Sequence, residues 1–231
     1  MTIQLDIDGA VVLRSVVPPE AVEALAPAFD GRRTDRAGLR SFGDAGVLRA
    51  MIGGGALGRL AGELMGKPAR PVRVVLFDKT PDANWGVPWH QDRTIAVVGR
   101  TNDPTFRNWN TKDGVTHVEP PTDILAGMLT LRLFVDDCDV DQGPVEVARG
   151  THRLGRVPAG DAASIARGAP NLVATGRAGD VLAMRLLALH ASKPARVPST
   201  RRVLHVDYAD PAALPPALAW ALDVEAAVGS A

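Results

Sequence analysis

The sequence predicts a mainly β fold with flanking helices, a sandwich or barrel behind a helical front, and three observations carry that reading. From residue 70 the segments RPVRVVLFD, TIAVVG, MLTLRLFVDD, PVEVA, NLVAT, DVLAMRL and RRVLHVDY are short and rich in valine, leucine and isoleucine. Glycine, proline or aspartate turns separate them. No long helical pattern lies between successive strands, as a parallel α/β sheet would require.

Taken in order, residues 3–14 alternate loosely and predict an opening strand. PPEAVEALAPAF, 18–29, sets proline at a helix start ahead of helix formers and predicts a first helix. GVLRAMIGGGALGRLAGELMG, 46–66, has apolar residues at helical spacing around glycines 53–55. Each of those glycines costs about 1 kcal/mol relative to alanine inside a helix, so a break or a close packing contact is expected there. The helical front covers about 15–68 and the β core about 70–209, within a single domain spanning 1–231. Two stretches interrupt the strand rhythm. Residues 100–123 are polar, contain Trp109 and exceed an ordinary connection, which predicts a lid or an insert. Residues 155–171 predict one short helix.

Composition narrows the partners. Lysine plus arginine equals aspartate plus glutamate at 26 each, so no global field attracts nucleic acid or an acidic membrane, and a small-molecule partner is expected. A lone cysteine, Cys138, excludes an internal disulfide framework and a cysteine-rich zinc site. The N-terminus lacks a basic segment followed by an apolar core, and no apolar run approaches 18 residues, so a soluble cytoplasmic protein is expected. Nothing here indicates an oligomeric state.

The chemistry starts at NWGVPWHQDRTIAVV, 84–98. In a strand, residues i and i+2 share a face, so His90 and Asp92 aim an imidazole and a carboxylate at one point while Gln91 points away. A third ligand has to come from His117, His152, His190 or His205. HVD at 205–207 repeats the pattern, but the 24 residues after Asp207 contain no histidine, arginine or lysine to complete a site. His190 is better placed, at the end of an apolar strand, with Ser192 on its nominal face and Arg201 beyond a loop. Two histidines and one carboxylate with open positions is the facial arrangement of non-haem Fe(II) oxygenases. A guanidinium such as Arg201 binds a carboxylate in bidentate fashion, and Ser192 adds a hydroxyl donor. Arg202 is the rival: alternation puts Arg201, Val203, His205 and Asp207 on one face and Arg202, Leu204, Val206 and Tyr208 on the other, so a one-residue slip exchanges the arginines.

WHQD at 89–92, GPVEVARGTHRLG at 143–155, GD at 179–180, HAS at 190–192 and Arg201 occur in this order, and the ordered set resembles the phytanoyl-CoA dioxygenase family of Fe(II)/2-oxoglutarate oxygenases, in particular its small bacterial members. The resemblance runs from about residue 70 to 209, with LFDKTPDANWGVPWHQD the strongest local match. It implies a double-stranded β-helix, a jelly-roll or cupin-like barrel, with Fe(II) on His90, Asp92 and His190. It further implies that 2-oxoglutarate is held by Arg201 and Ser192, with O2 as the other reactant. The chain departs from the family at ARGTH, 148–152, where proline–glycine–serine–histidine is usual, and near Phe134 in LRLFVDD, where histidine or tryptophan is frequent. Neither departure removes an iron ligand. The carboxylate at Asp92, which halogenating relatives lack, argues against halogenation.

The reaction so implied couples decarboxylation of 2-oxoglutarate to succinate and CO2 with oxidation of a small metabolite, hydroxylation being the default outcome. Lys79, Trp85, Trp109 and Arg132 are candidate substrate contacts, each with a plain structural alternative as a solvated charge, a packing ring or a salt-bridged strand residue. Two other classes compete. A zinc hydrolase uses the same donor set but has no need of Arg201 or Ser192. A non-catalytic metal-binding barrel is expected to have lost a ligand or the arginine.

Overall fold

The computed structural model describes residues 2–29, 38, 46–112, 114–197 and 200–222. Parts of the expected helical front and the far C-terminal end of the expected domain lie outside them. Among the described residues the helices are α1 (Thr2–Asp8), α2 (Pro19–Glu23), α3 (Gly46–Ile52), α4 (Ala56–Met65), α5 (Thr122–Ala126) and α6 (Ala162–Gly168). The strands are β1 (Ala10–Leu13), β2 (Arg70–Lys79), β3 (Val87–His90), β4 (Ile95–Gly99), β5 (Arg107–Lys112), β6 (Val115–Glu119), β7 (Leu129–Phe134), β8 (Val145–Ala148), β9 (Asn171–Ala174), β10 (Val181–Arg185), β11 (His190–Ser192), β12 (Arg201–Ala209) and β13 (Leu218–Trp220).

The front departs from expectation at its start. Residues 2–8 form a helix, and only Leu5 of its apolar residues enters the core while Ile3 and Ile7 stay exposed. A strand would place all three on one face. Gly9, at φ 76°, ends the helix by donating its N–H to the Leu5 carbonyl at 2.9 Å, so the strand begins only at Ala10. Further on, α3 and α4 are separated at glycines 53–55. A Cβ on Gly55 would stand 2.5 Å from the Ala50 carbonyl oxygen, so the break and the close contact are one feature. Leu57, Leu60, Ala61 and Leu64 form the buried stripe of α4.

Three antiparallel sheets follow the orders β1-β10-β7-β12-β2, β3-β11-β8-β9 and β13-β4-β6-β5. Alternation sorts the five-stranded sheet cleanly. Leu129, Leu131, Leu133, Val181, Ala183, Leu204, Val206 and Tyr208 pack with Leu48, Ile52, Leu57 and Leu64 of the helices. Tyr208 also donates its hydroxyl to the Ile52 carbonyl at 2.9 Å, tying the helical layer to the sheet. The opposite face turns inward: Phe134, Leu182 and Met184 share a cluster with Val145, Val147 and Ala174 of the β3-β11-β8-β9 sheet. Two sheets thus enclose an interior without hydrogen-bonded closure between them among the described residues.

Residues 100–123, expected as a lid or an insert, carry regular structure from Arg107 onward among the described residues. They fold into the β5–β6 hairpin of the third sheet and the start of α5, and the Trp109 ring packs against that sheet's apolar cluster. The polar side chains there are exposed because β5 lies at the sheet edge. The short helix in 155–171 is α6. Among the described residues no helix is long and apolar enough to cross a membrane.

Candidate functional site

His90 is the last residue of β3, and Asp92 lies beyond it in the connection to β4, so the two do not share one strand as alternation supposes. Gln91 sets the turn between them. Its Nε2 donates to the Leu187 carbonyl at 2.7 Å and to the Gly155 carbonyl at 2.8 Å, and its Oε1 accepts from Val157 N at 2.8 Å. With Gln91 anchored on the far side, Asp92 faces inward. His190 opens β11 rather than ending a strand; it follows the turn at Leu186–Leu189, whose Leu189 N–H donates to the Thr151 hydroxyl at 2.9 Å.

Antiparallel pairing sets His190 directly opposite His90, with ring centroids 4.2 Å apart. Each Nδ1 lies against a carbonyl two residues back in its own chain, Pro88 at 2.8 Å and Ala188 at 3.0 Å. Those bonds assign the proton to Nδ1 and leave each Nε2 as a free donor atom for a metal. His190 Nε2 stands 3.8 Å from Asp92 Oδ2. Two donors about 2.1 Å from one ion and at right angles stand about 3 Å apart, so these side chains need a shift of under about 1 Å to close on a cation. Among the described residues no group of three histidine, cysteine, aspartate or glutamate side chains is placed closely enough to hold a metal ion without such a shift. The donor chemistry nevertheless fits a divalent ion of borderline softness.

Electrostatics favours the ligand forms. Burial and then the neighbouring His90 push His190 down to about 4, against the pull of Asp92, so its imidazole is neutral at neutral pH. Burial opposes the charge on Asp92, but the carboxyl is held well below its ordinary range, with the Arg73 guanidinium beside it the largest favourable contribution.

Arg201 lies on the inward face of β12, only 4% exposed. It lines a small interior cavity with Arg132, Phe134, Val145, Leu182 and Val203. Its Nε is buried without a hydrogen-bond partner, and its Nη1 has only the Cys138 sulfur, at 4.0 Å. A buried guanidinium with no carboxylate beside it among the described residues fits an incoming carboxylate. Arg202 is occupied instead: its Nε and Nη2 fork onto Asp136 at 2.9 and 2.7 Å on the other face. Ser192 lies two residues along β11 from His190, half-buried, and no hydrogen bond joins it to Arg201 among the described residues.

The four candidate substrate contacts separate. Lys79 is the register partner of Arg201 and is fully buried, its Nζ donating to the Lys193 carbonyl at 2.8 Å. Burial, then repulsion from Arg201, pushes it down to about 8. Arg132 points inward as alternation requires; burial and then Arg201 bring it down to about 10. Trp85 is half-buried, with the Lys79 ammonium 5.7 Å from its ring. Trp109 donates its indole N–H to the Phe106 carbonyl at 3.1 Å and packs in the third sheet. Of the other histidines, His117 lies on β6 and pairs with Ala96 across that sheet, and His152 packs against Gly9. His205 and Asp207 bond each other at 2.9 Å and are shared with Arg132, Thr130 and Arg73, so the repeated HVD motif is spoken for.

Arg73 and Gln91 are not among the residues the sequence singles out, while Lys79 is. Arg73 and Lys79 stand on the inward side of β2, a face that alternation could have flagged because a buried strand face seldom carries two cations. Gln91 has no signal of its own, since its three partners come from distant loops.

Two sheets thus enclose two opposed histidines, an aspartate and a buried arginine. The chain belongs to the phytanoyl-CoA dioxygenase family, whose sequence profile matches residues 5–203, and with it to the enzymes that use Fe(II), 2-oxoglutarate and O2. Solved structures agree on the fold. AviO1 from Streptomyces viridochromogenes Tue57 is 23% identical, with 93% of this chain and 95% of that one covered and a TM-score of 0.63. The non-haem α-ketoglutarate-dependent carbocyclase SnoK of nogalamycin biosynthesis is 17% identical over 91% and 83% of the chains, with a TM-score of 0.67. The epimerase SnoN in complex with Fe3+, α-ketoglutarate and nogalamycin RO is 17% identical over 91% and 82%, with a TM-score of 0.65. No curated protein sequence gives a significant match.

Proposed function

We propose that the chain, acting as one oxygenase domain, hydroxylates a free small metabolite, with Fe(II) held by His90, Asp92 and His190 and the distal carboxylate of 2-oxoglutarate held by Arg201 with help from Ser192. One observation carries this reading: the two imidazoles meet in register with their Nε2 atoms uncommitted, and the buried guanidinium of Arg201, with no carboxylate beside it among the described residues, is on the inward face of β12. Iron with 2-oxoglutarate and O2 supplies an oxidant able to break a C–H bond. The protein's part is to bind, orient and keep water out. The Nδ1 bonds to Pro88 and Ala188 fix the tautomer and ring plane of each histidine. Arg201, in a site too apolar to solvate it, favours a dicarboxylate whose far end can reach it. Arg132 and Lys79 add positive potential beside it and support an anionic co-reactant.

The test is anaerobic addition of Fe(II) and 2-oxoglutarate to metal-free protein. A visible metal-to-ligand charge-transfer band is expected, absent in His190→Ala. Arg201→Ala should weaken 2-oxoglutarate binding by about 30-fold or more, the loss of a charge-assisted bidentate contact worth about 2 kcal/mol or above. Zinc-dependent hydrolysis with no 2-oxoglutarate requirement would refute the reading. Screening metabolites for substrate-dependent succinate release then identifies what is oxidised.

A further inference from the structure

We infer that Arg73 is a positioning residue that claims one oxygen of Asp92, so that Asp92 offers the metal a single oxygen and leaves room for a two-point chelate. The inference rests on the metal site proposed above and goes beyond it to residues that would never touch the ion.

The inward faces of β2, β7 and β12 carry a row of charged and polar groups joined end to end. Arg73 Nη1 stands 3.3 Å from Asp92 Oδ1 and 3.2 Å from Asp207 Oδ2. Asp207 Oδ1 accepts from the Thr130 hydroxyl at 2.7 Å and from His205 Nε2 at 2.9 Å. His205 Nδ1 in turn accepts from Arg132 Nη1 at 2.8 Å, which leaves the proton of this neutral imidazole on Nε2. Two arginines and two aspartates thus balance inside the protein around one neutral histidine. The assembly does not depend on a metal for its charge compensation, which a lone buried carboxylate would.

The geometry divides Asp92 in two. Oδ1 faces Arg73, and Oδ2 faces His190 Nε2. A carboxylate free at both oxygens can close on an ion with both, as carboxylates do in calcium sites. With Oδ1 committed to Arg73, Asp92 would give the metal one oxygen beside the two imidazoles, and room would remain for a 2-oxo acid binding through two atoms. Asp207, His205 and Thr130 act through Arg73. They keep its guanidinium from turning wholly toward Asp92 or away from it.

The experiment separates metal binding from 2-oxoglutarate binding. Mn(II) affinity is read by electron paramagnetic resonance, and 2-oxoglutarate affinity by titrating the anaerobic Fe(II) charge-transfer band. Arg73→Met should leave Mn(II) affinity within about threefold of the starting protein and weaken 2-oxoglutarate by about tenfold, with Arg73→Lys recovering most of the loss. A folded Arg73→Met that binds 2-oxoglutarate as well as the starting protein overturns the inference. So does one that loses Mn(II) and 2-oxoglutarate in equal proportion, because that is general damage. Should Arg73→Met fail to fold, Asp207→Asn, which removes one anchor of Arg73, carries the same test: about threefold weaker 2-oxoglutarate with Mn(II) retained supports the inference, and unchanged binding of both overturns it. Failure of the underlying site assignment looks different, because the unaltered protein then gives no band at all.

Discussion

Gln91 makes the sharpest claim open to a stability measurement, because one side chain joins the segment carrying His90 and Asp92 to the turn that leads into His190. Gln91→Leu keeps the bulk and deletes the amide. Three hydrogen bonds vanish, and the Leu187 and Gly155 carbonyls and the Val157 N–H lose their partner in a site where Gln91 is only 9% exposed. A net hydrogen bond contributes about 1 kcal/mol, and a buried polar group left unsatisfied costs about 1–3 kcal/mol. Carbonyls tolerate loss of one partner better than an N–H does, so the sum should fall at about 3–5 kcal/mol. For a chain of this size that lowers the melting temperature by roughly 6–20 °C. Urea unfolding of metal-free protein, compared at unchanged slope, gives the number directly. A loss below about 1 kcal/mol would show that the clamp does not hold the two segments together, and the account of how Asp92 comes to face inward would fall with it.

Two further outcomes follow from the fold. Lys79 is held below its ordinary value, so between about 8 and 10.5 the unfolded chain binds a proton that the folded chain has released, and folding stability should rise with pH across that window. Lys79→Met should therefore be more stable than the starting protein at neutral pH, by about 1–3 kcal/mol after allowing for the lost bond to Lys193, with the advantage shrinking above pH 8; thermal unfolding at pH 7 and 10 checks both parts, and a pH-independent difference would refute it. Tyr208→Phe removes the bond to the Ile52 carbonyl while keeping the packing, and should cost about 1–2 kcal/mol by denaturant titration.

The β body was legible because its strands alternate. In RRVLHVDY, period two puts Arg201 and Arg202 on opposite faces without saying which is inward, and the structure turns Arg201 inward beside Arg132 and Arg202 outward. The glycines at 53–55 were equally readable, since no helix continues comfortably through three of them. The opening helix and the β5–β6 hairpin were not. Ile3, Leu5 and Ile7 alternate as a strand would, yet the core has room for one of them, and the polar 100–123 stretch carries a sheet-edge strand whose exposed side chains hide the alternation that marks a half-buried one.

By itself the sequence determined the class of fold, which residues of a strand share a face, and the ordered set of residues that marks the family, because periodicity and motif spacing are local properties of a chain. The tertiary structure decided what spacing cannot reach. Only strand pairing sets His190 opposite His90, only the loops at 155–157 and 187 anchor Gln91, and only the inward faces of three strands together show that Arg73, Asp207 and His205 are spent on one another while Arg201 is left unpaired. Apart from the His205–Asp207 bond, those contacts join residues tens to more than a hundred positions apart, and their energies depend on burial that exists only once the sheets have met.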